Sequence, residues 1–95
     1  MYELTFSKSF RKSIKRLAQA NDYKVVNERL EVIIEYIRKR KIIDQRYKDH
    51  ALQGSYVGYR ECHIKPDVLL LYEIDEKVQV IMLVNIGSHS ELFGS

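Results

Sequence analysis

Between Ser7 and Ala20 the apolar side chains Phe10, Ile14, Leu17 and Ala18 recur at helical spacing and draw one stripe, with Lys8, Arg11, Lys12, Lys15 and Arg16 mostly on the opposite face. Ser7 carries the side-chain oxygen that caps such a helix. Ahead of it, Tyr2 to Phe6 alternates as a short strand does. Asn21 or Asp22 breaks and recaps the chain, and a second helix is expected to about Arg40, with Val26, Leu30, Ile33, Ile34 and Ile37 inward and Arg38, Lys39, Arg40 and Lys41 at its negative end. So short a turn predicts an antiparallel helix pair. From Ile42 to Gln53 the periodicity is lost and a loop is expected. Three strands follow, at about Gly54 to Ile64, Val68 to Ile74 and Val78 to Ile86, joined by the short turns Lys65-Pro66-Asp67 and Asp75-Glu76-Lys77 of an antiparallel meander. Gly87 is expected to end the last strand and leave His89 in a tail. The pattern is that of an α+β chain, β-α-α-β-β-β, with a small, mainly antiparallel sheet and two N-terminal helices packed on one face.

Length and charge narrow this. Ninety-five residues suffice for one domain, residues 1–95, with one modest core. Hydrophobic content of 45% and charged content of 31% are those of a globular chain. A single cysteine, Cys62, fits a reducing compartment, and the first residues lack the apolar core of a signal peptide, so a cytoplasmic location is expected. No apolar run approaches the ~20 residues that cross a bilayer, and no membrane partner is expected. Net charge is +4 over residues 1–20, +3 over 21–65 and −4 over 66–95. The cations of the two helices, Lys8, Arg11, Lys12, Lys15 and Arg16 with Arg38, Lys39, Arg40 and Lys41, could therefore form a basic face for a polyanion such as RNA.

The chemistry concentrates between Tyr47 and Asp67, where His50, Arg60, Glu61, His63 and Asp67 crowd together. On a strand Tyr59, Glu61 and His63 share one face, while Arg60, Cys62 and Ile64 take the other. No CxxC, HxxxH or HExxH spacing occurs, so neither a metal nor another cofactor is expected. Cys62, turned to the core, is a poor nucleophile. What remains is acid and base work by imidazole, whose ordinary pKa of ~6.5 suits both roles at neutral pH. Metal-free RNA cleavage needs a base for the 2′-hydroxyl, an acid for the departing 5′-oxygen and a cation for the phosphate. Arg60 is a candidate cation, able to join His63 only through a bulge near Gly58.

The segments KDHALQGSYVGYRECHIKPDVLLLYEI and GSHSELFG resemble the YafQ branch of the RelE superfamily, closely from Tyr47 to Gly94 and by pattern alone over the helices. The resemblance rests on HxLxGxxxGYRxxHxxPD together with a terminal HxxLFG. It implies the RelE fold and a ribosome-dependent endoribonuclease toxin that cuts messenger RNA in the A site of the 70S ribosome without metal. It also implies a cognate antitoxin of the DinJ/RelB kind, the free toxin being a monomer and the inhibited form a hetero-oligomer. By matching position it puts His50, His63, Asp67, His89 and Phe93 in the active site. In that reading His50 is the base and His89 the acid, although the two could be exchanged. His63 and Arg60 stabilise the phosphate, Asp67 orients a histidine, Phe93 stacks on a base, and the helix cations meet ribosomal RNA. Glu61 stands where relatives often have Asp, which moves its carboxylate out by roughly one bond. Two other classes share the features: a ParE-like toxin that poisons gyrase without cutting RNA, which would not need three converging histidines, and a non-catalytic RNA-binding protein, which would tolerate loss of His89.

Overall fold

The computed structural model describes residues 1–94. Strand β1 (Glu3–Phe6) leads into helices α1 (Lys8–Leu17) and α2 (Tyr23–Arg38). A short 3-10 turn, Gln45–Tyr47, precedes β2 (His50–Ala51), and another, Gly54–Tyr56, precedes β3 (Tyr59–Lys65). Strands β4 (Val68–Asp75) and β5 (Val80–Gly87) and the helix α3 (His89–Phe93) complete the order. The sheet runs β1-β5-β4-β3-β2. All its pairings are antiparallel except β1 with β5, which is parallel with Glu3 opposite Val80.

Ser7 caps α1 as its chemistry predicts, its hydroxyl oxygen accepting from the Phe10 amide at 3.0 Å. The same hydroxyl donates to the Val84 carbonyl and so ties the helix start to β5. Phe10 of α1 and Val26, Leu30, Ile33 and Ile37 of α2 close over Cys62, Ile64, Leu70, Tyr72, Ile81, Leu83 and Ile86 of the sheet. Each fully buried aliphatic side chain there stabilises the fold by about 1.5–3 kcal/mol. Leu69 and Leu71 alternate with Leu70 and Tyr72 and so face away from that core, yet they are only 2% and 5% exposed. Helix α3 rests on β4 and β5, giving the sheet a second, smaller cover.

The departures from the sequence reading are local. The expected loop from Ile42 to Gln53 contains a 3-10 turn and the two-residue β2, which pairs His50 with Glu61 and Ala51 with Arg60. The strand expected from Gly54 begins only at Tyr59, because Gly54 (φ 65°) and Gly58 (φ 99°) hold left-handed backbone that a strand does not use. Likewise β5 begins at Val80, after Gln79 at φ 58°, and Val78 lies in the turn, 66% exposed. Ala18 is an exposed C-cap rather than part of the apolar stripe. The residues after Gly87 are not a tail: Ser88 caps α3.

Candidate active site

Three side chains meet on the sheet face turned away from α1 and α2. His50 and Glu61 are directly opposed across β2 and β3, and His63 follows Glu61 on the same face. Glu61 is buried, and its Oε1 lies 3.3 Å from His63 Nε2 and 3.8 Å from His50 Nε2. One carboxylate oxygen thus stands between two imidazoles, both of them partly open to solvent. The other nitrogen of His50, Nδ1, is 2.6 Å from the Lys48 carbonyl, which can only accept, so Nδ1 carries the proton. Lys48 is left-handed (φ 51°) and is the C-cap of the preceding 3-10 turn. Backbone geometry therefore leaves the lone pair of neutral His50 on Nε2, the form a general base requires.

The opposite face holds a different cluster. Arg60 NH2 lies 2.7 Å from Asp49 Oδ2, and its Nε reaches the Tyr72 hydroxyl at 3.4 Å. Tyr72 in turn donates to Asp49 Oδ1. Burial, aided by that carboxylate, pushes the Tyr72 phenol well above its ordinary value, and Asp49 holds the Arg60 guanidinium firmly charged. The expectation that Arg60 faces the phosphate beside His63 is not met. The register shifts of β3 and β4 fall at His63/Lys65 and Leu71/Tyr72 rather than near Gly58, so strand alternation keeps Arg60 away from His63. Arg60 instead fastens Asp49, the neighbour of His50, to the sheet. Cys62 is 0% exposed and its thiol is pushed up by burial, leaving no nucleophile there.

His89 opens α3. Cross-strand pairing links His63 to Leu69 and Leu69 to Gly87, two interstrand steps or roughly 10 Å, so α3 begins at the end of the sheet where His63 stands. Asp67 lies exposed in the β3–β4 turn at that same end. Within α3 the rings of His89 and Phe93 are 5.0 Å apart, and Phe93 meets Tyr56 edge-on at 4.8 Å. A capping box holds the helix: Ser88 Oγ accepts from the Glu91 amide, and Glu91 accepts from the Ser88 amide at 2.8 Å. That amide hydrogen bond holds the Glu91 carboxyl below its ordinary range. The close approach also leaves no room at Gly87, where an added Cβ would meet Glu91 Oε1 at 2.8 Å.

Part of the expected basic face is engaged in surface ion pairs of the molecule's own. Arg16 binds Glu91 at 2.9 Å and so joins α1 to α3; Lys39 pairs with Glu35, and Arg40 with Glu76 at 2.7 Å. Arg38 Nε donates to the Tyr2 carbonyl. Lys8, Arg11, Lys12, Lys15 and Lys41 lie on the surface. Asp49, Tyr56, Ser88 and Glu91 carry no assignment in the sequence reading, although Ser88-His89-Ser90-Glu91 has the S-x-x-E form of a capping box. Among the described residues, no three or more His, Cys, Asp or Glu side chains are arranged to hold a metal ion.

Residues 2–94 match the family described as bacterial toxin of type II toxin-antitoxin system, YafQ. The mRNA interferase toxin YafQ of Escherichia coli strain K12 is 34% identical over 92 residues, 97% of this chain and 96% of that protein. Among solved structures, a metal-bound toxin from Helicobacter pylori is 36% identical with a TM-score of 0.85, covering 98% of this chain and all of that one. The toxin of the E. coli DinJ-YafQ complex is 27% identical with a TM-score of 0.79, covering 99% of this chain and all of that one.

Proposed function

The chain belongs to the YafQ family of type II toxin–antitoxin toxins, and from that premise we propose that it is an endoribonuclease that cuts messenger RNA in the ribosomal A site by acid–base chemistry without a metal. The observation that carries the reading is the buried Glu61 carboxylate between the imidazoles of His50 and His63, at the end of the sheet where α3 begins. His50 Nε2 takes the proton of the 2′-hydroxyl. The 2′-oxygen attacks phosphorus, and the 5′-oxygen leaves with a proton from His89, giving a 2′,3′-cyclic phosphate. The imidazole of His63, held by Glu61, faces the phosphoryl oxygens and offsets the charge that builds on them. Asp67 orients an imidazole at the mouth of the site, and Phe93 with Tyr56 offers a ring for a base to stack on. Arg60 acts at one remove, keeping β2 and therefore His50 in register through Asp49.

The partner that restrains this activity is a cognate antitoxin, as the DinJ-YafQ complex of E. coli suggests by analogy. The free toxin is a monomer of the cytoplasm and the inhibited form a hetero-oligomer. Among the described residues no helix is long and apolar enough to cross a membrane. The test uses programmed ribosomes in excess EDTA. Messenger RNA should still be cut, leaving a cyclic phosphate or its 3′-phosphate hydrolysis product. His89→Ala should lower the single-turnover rate by ~10² to 10⁴ with A-site binding little changed. Loss of cleavage in EDTA, restored by added metal, would overturn the metal-free mechanism; a wild-type rate in the Ala variant would remove His89 as the acid.

A further inference from the structure

Next to His63 lies a second concavity, of about 280 Å³, lined chiefly by Arg29, Arg46, Tyr47, Lys48, His63 and Lys65. Four of these are permanent cations, they come from three separate segments, and no carboxylate is among the lining residues. Asp22 engages Lys65 from outside, and Asp44 stands 3.9 Å from Arg46, too far to neutralise it fully. Arg29 is fixed by donating to the Ile64 carbonyl at 3.1 Å. The Arg46 guanidinium lies 5.0 Å from the centre of the Tyr47 ring, which is buried and forms a floor. Cations gathered this way repel one another unless an anion enters, and a guanidinium laid against one ring offers its outer face to another.

We infer that this cavity is a nucleotide subsite, in which Arg29, Lys48 and Lys65 take a phosphate neighbouring the scissile one while a base stacks on Arg46. The inference rests on the RNA-cleavage reading, because His63 belongs both to this cavity and to the cluster with Glu61. Messenger RNA would then run from the imidazoles over the β3 end toward α2. Of the cations that grip it only Arg29 stands on a helix, and none belongs to the basic clusters of α1 and the end of α2. Single-stranded RNA fits this chemistry, since its unpaired bases are free to stack and its phosphates are individually accessible.

The experiment titrates an uncleavable 2′-O-methyl RNA tetranucleotide into the wild type, Arg46→Gln/Lys48→Gln and Arg46→Lys, by fluorescence anisotropy across a salt series. Both altered side chains are exposed, so all three proteins should unfold at the same temperature. Removing the Lys48 phosphate contact should make the dependence of log affinity on log salt shallower by at least ~0.7, the worth of one contact on a single strand, and losing the Arg46 surface should lower the affinity further. Arg46→Lys keeps the charge and loses the flat surface, so its slope should stay while its affinity falls by about tenfold. Equal slopes and affinities for all three would overturn the subsite. Single-turnover cleavage on ribosomes, run alongside, separates the two levels. If the wild type cuts and the double variant binds RNA as it does, the subsite is wrong and the cleavage reading stands. If the wild type fails to cut while the slopes differ, the cleavage reading falls and the cavity remains an RNA-phosphate site.

Discussion

Replacing Ser88 with Ala tests whether the last helix is held by its cap. Helix α3 has five residues, and isolated helices below ~12–15 residues are marginal in water, so its formation depends on end contacts and docking. Ser88→Ala deletes the oxygen that accepts from the Glu91 amide, an N-cap loss of about 1 kcal/mol. If α3 opens by itself, that raises its open fraction by about fivefold. Native-state hydrogen exchange reads this directly: the amides of Leu92 and Gly94, bonded to the Ser88 and Ser90 carbonyls, should exchange about fivefold faster, while β5 amides keep their protection. Acid should have a related effect. The Glu91 carboxyl titrates lower folded than unfolded, so its contribution is complete above the ordinary value of 4.5 and is lost as pH falls through the depressed folded value. Unchanged protection at Leu92 and Gly94, or equal loss through β5, would refute the idea that α3 is a separately opening unit.

Three further outcomes are expected. Asp49→Asn removes the charge shared by Arg60 and Tyr72 and should cost about 1–3 kcal/mol, seen as a melting temperature lower by about 4–8 °C per kcal/mol; an unchanged melt would show that the triad is dispensable. Cys62, buried with its thiol pushed up, should react with iodoacetamide only as fast as the protein opens, so rapid labelling in native buffer would contradict its core position. Reversing Lys8, Lys12 and Lys15 to Glu should weaken ribosome co-sedimentation and flatten its salt dependence, whereas equal slopes would reject a ribosomal role for that face.

The helices were legible because Phe10, Val26, Leu30, Ile33 and Ile37 obey one period and Ser7 announces the start. The shared face of Glu61 and His63 was legible for the same reason, as strand alternation is fixed by covalent geometry. Helix α3 escaped notice because five residues are too few to show periodicity, although its capping box is written in the residues themselves. The two-residue β2 gives no pattern at all; only pairing with β3 creates it. Long-range pairings such as Arg16 with Glu91 and Asp49 with Arg60 and Tyr72 leave no trace in local spacing. For this reason the pairing of Arg16 with Glu91 at the surface could not be anticipated, nor the turn of Arg60 toward Asp49 and Tyr72. The parallel pairing of β1 with β5 was hidden in the same way, since nothing near Glu3 names its partner.

That pairing also orders events during synthesis. The strand that sits between β1 and β4 is the last one to be made, so the first strand has no neighbour in the sheet until residues 80–87 exist. A nascent chain can build the β2–β3–β4 hairpins and lay α2 across them, but β1 must wait, and α3 waits with it because its seat includes β5. His50, Glu61 and His63 can therefore be assembled early while His89 comes last. On the acid–base reading proposed above, the histidine given the role of acid would take its place only once β5 and α3 have been made.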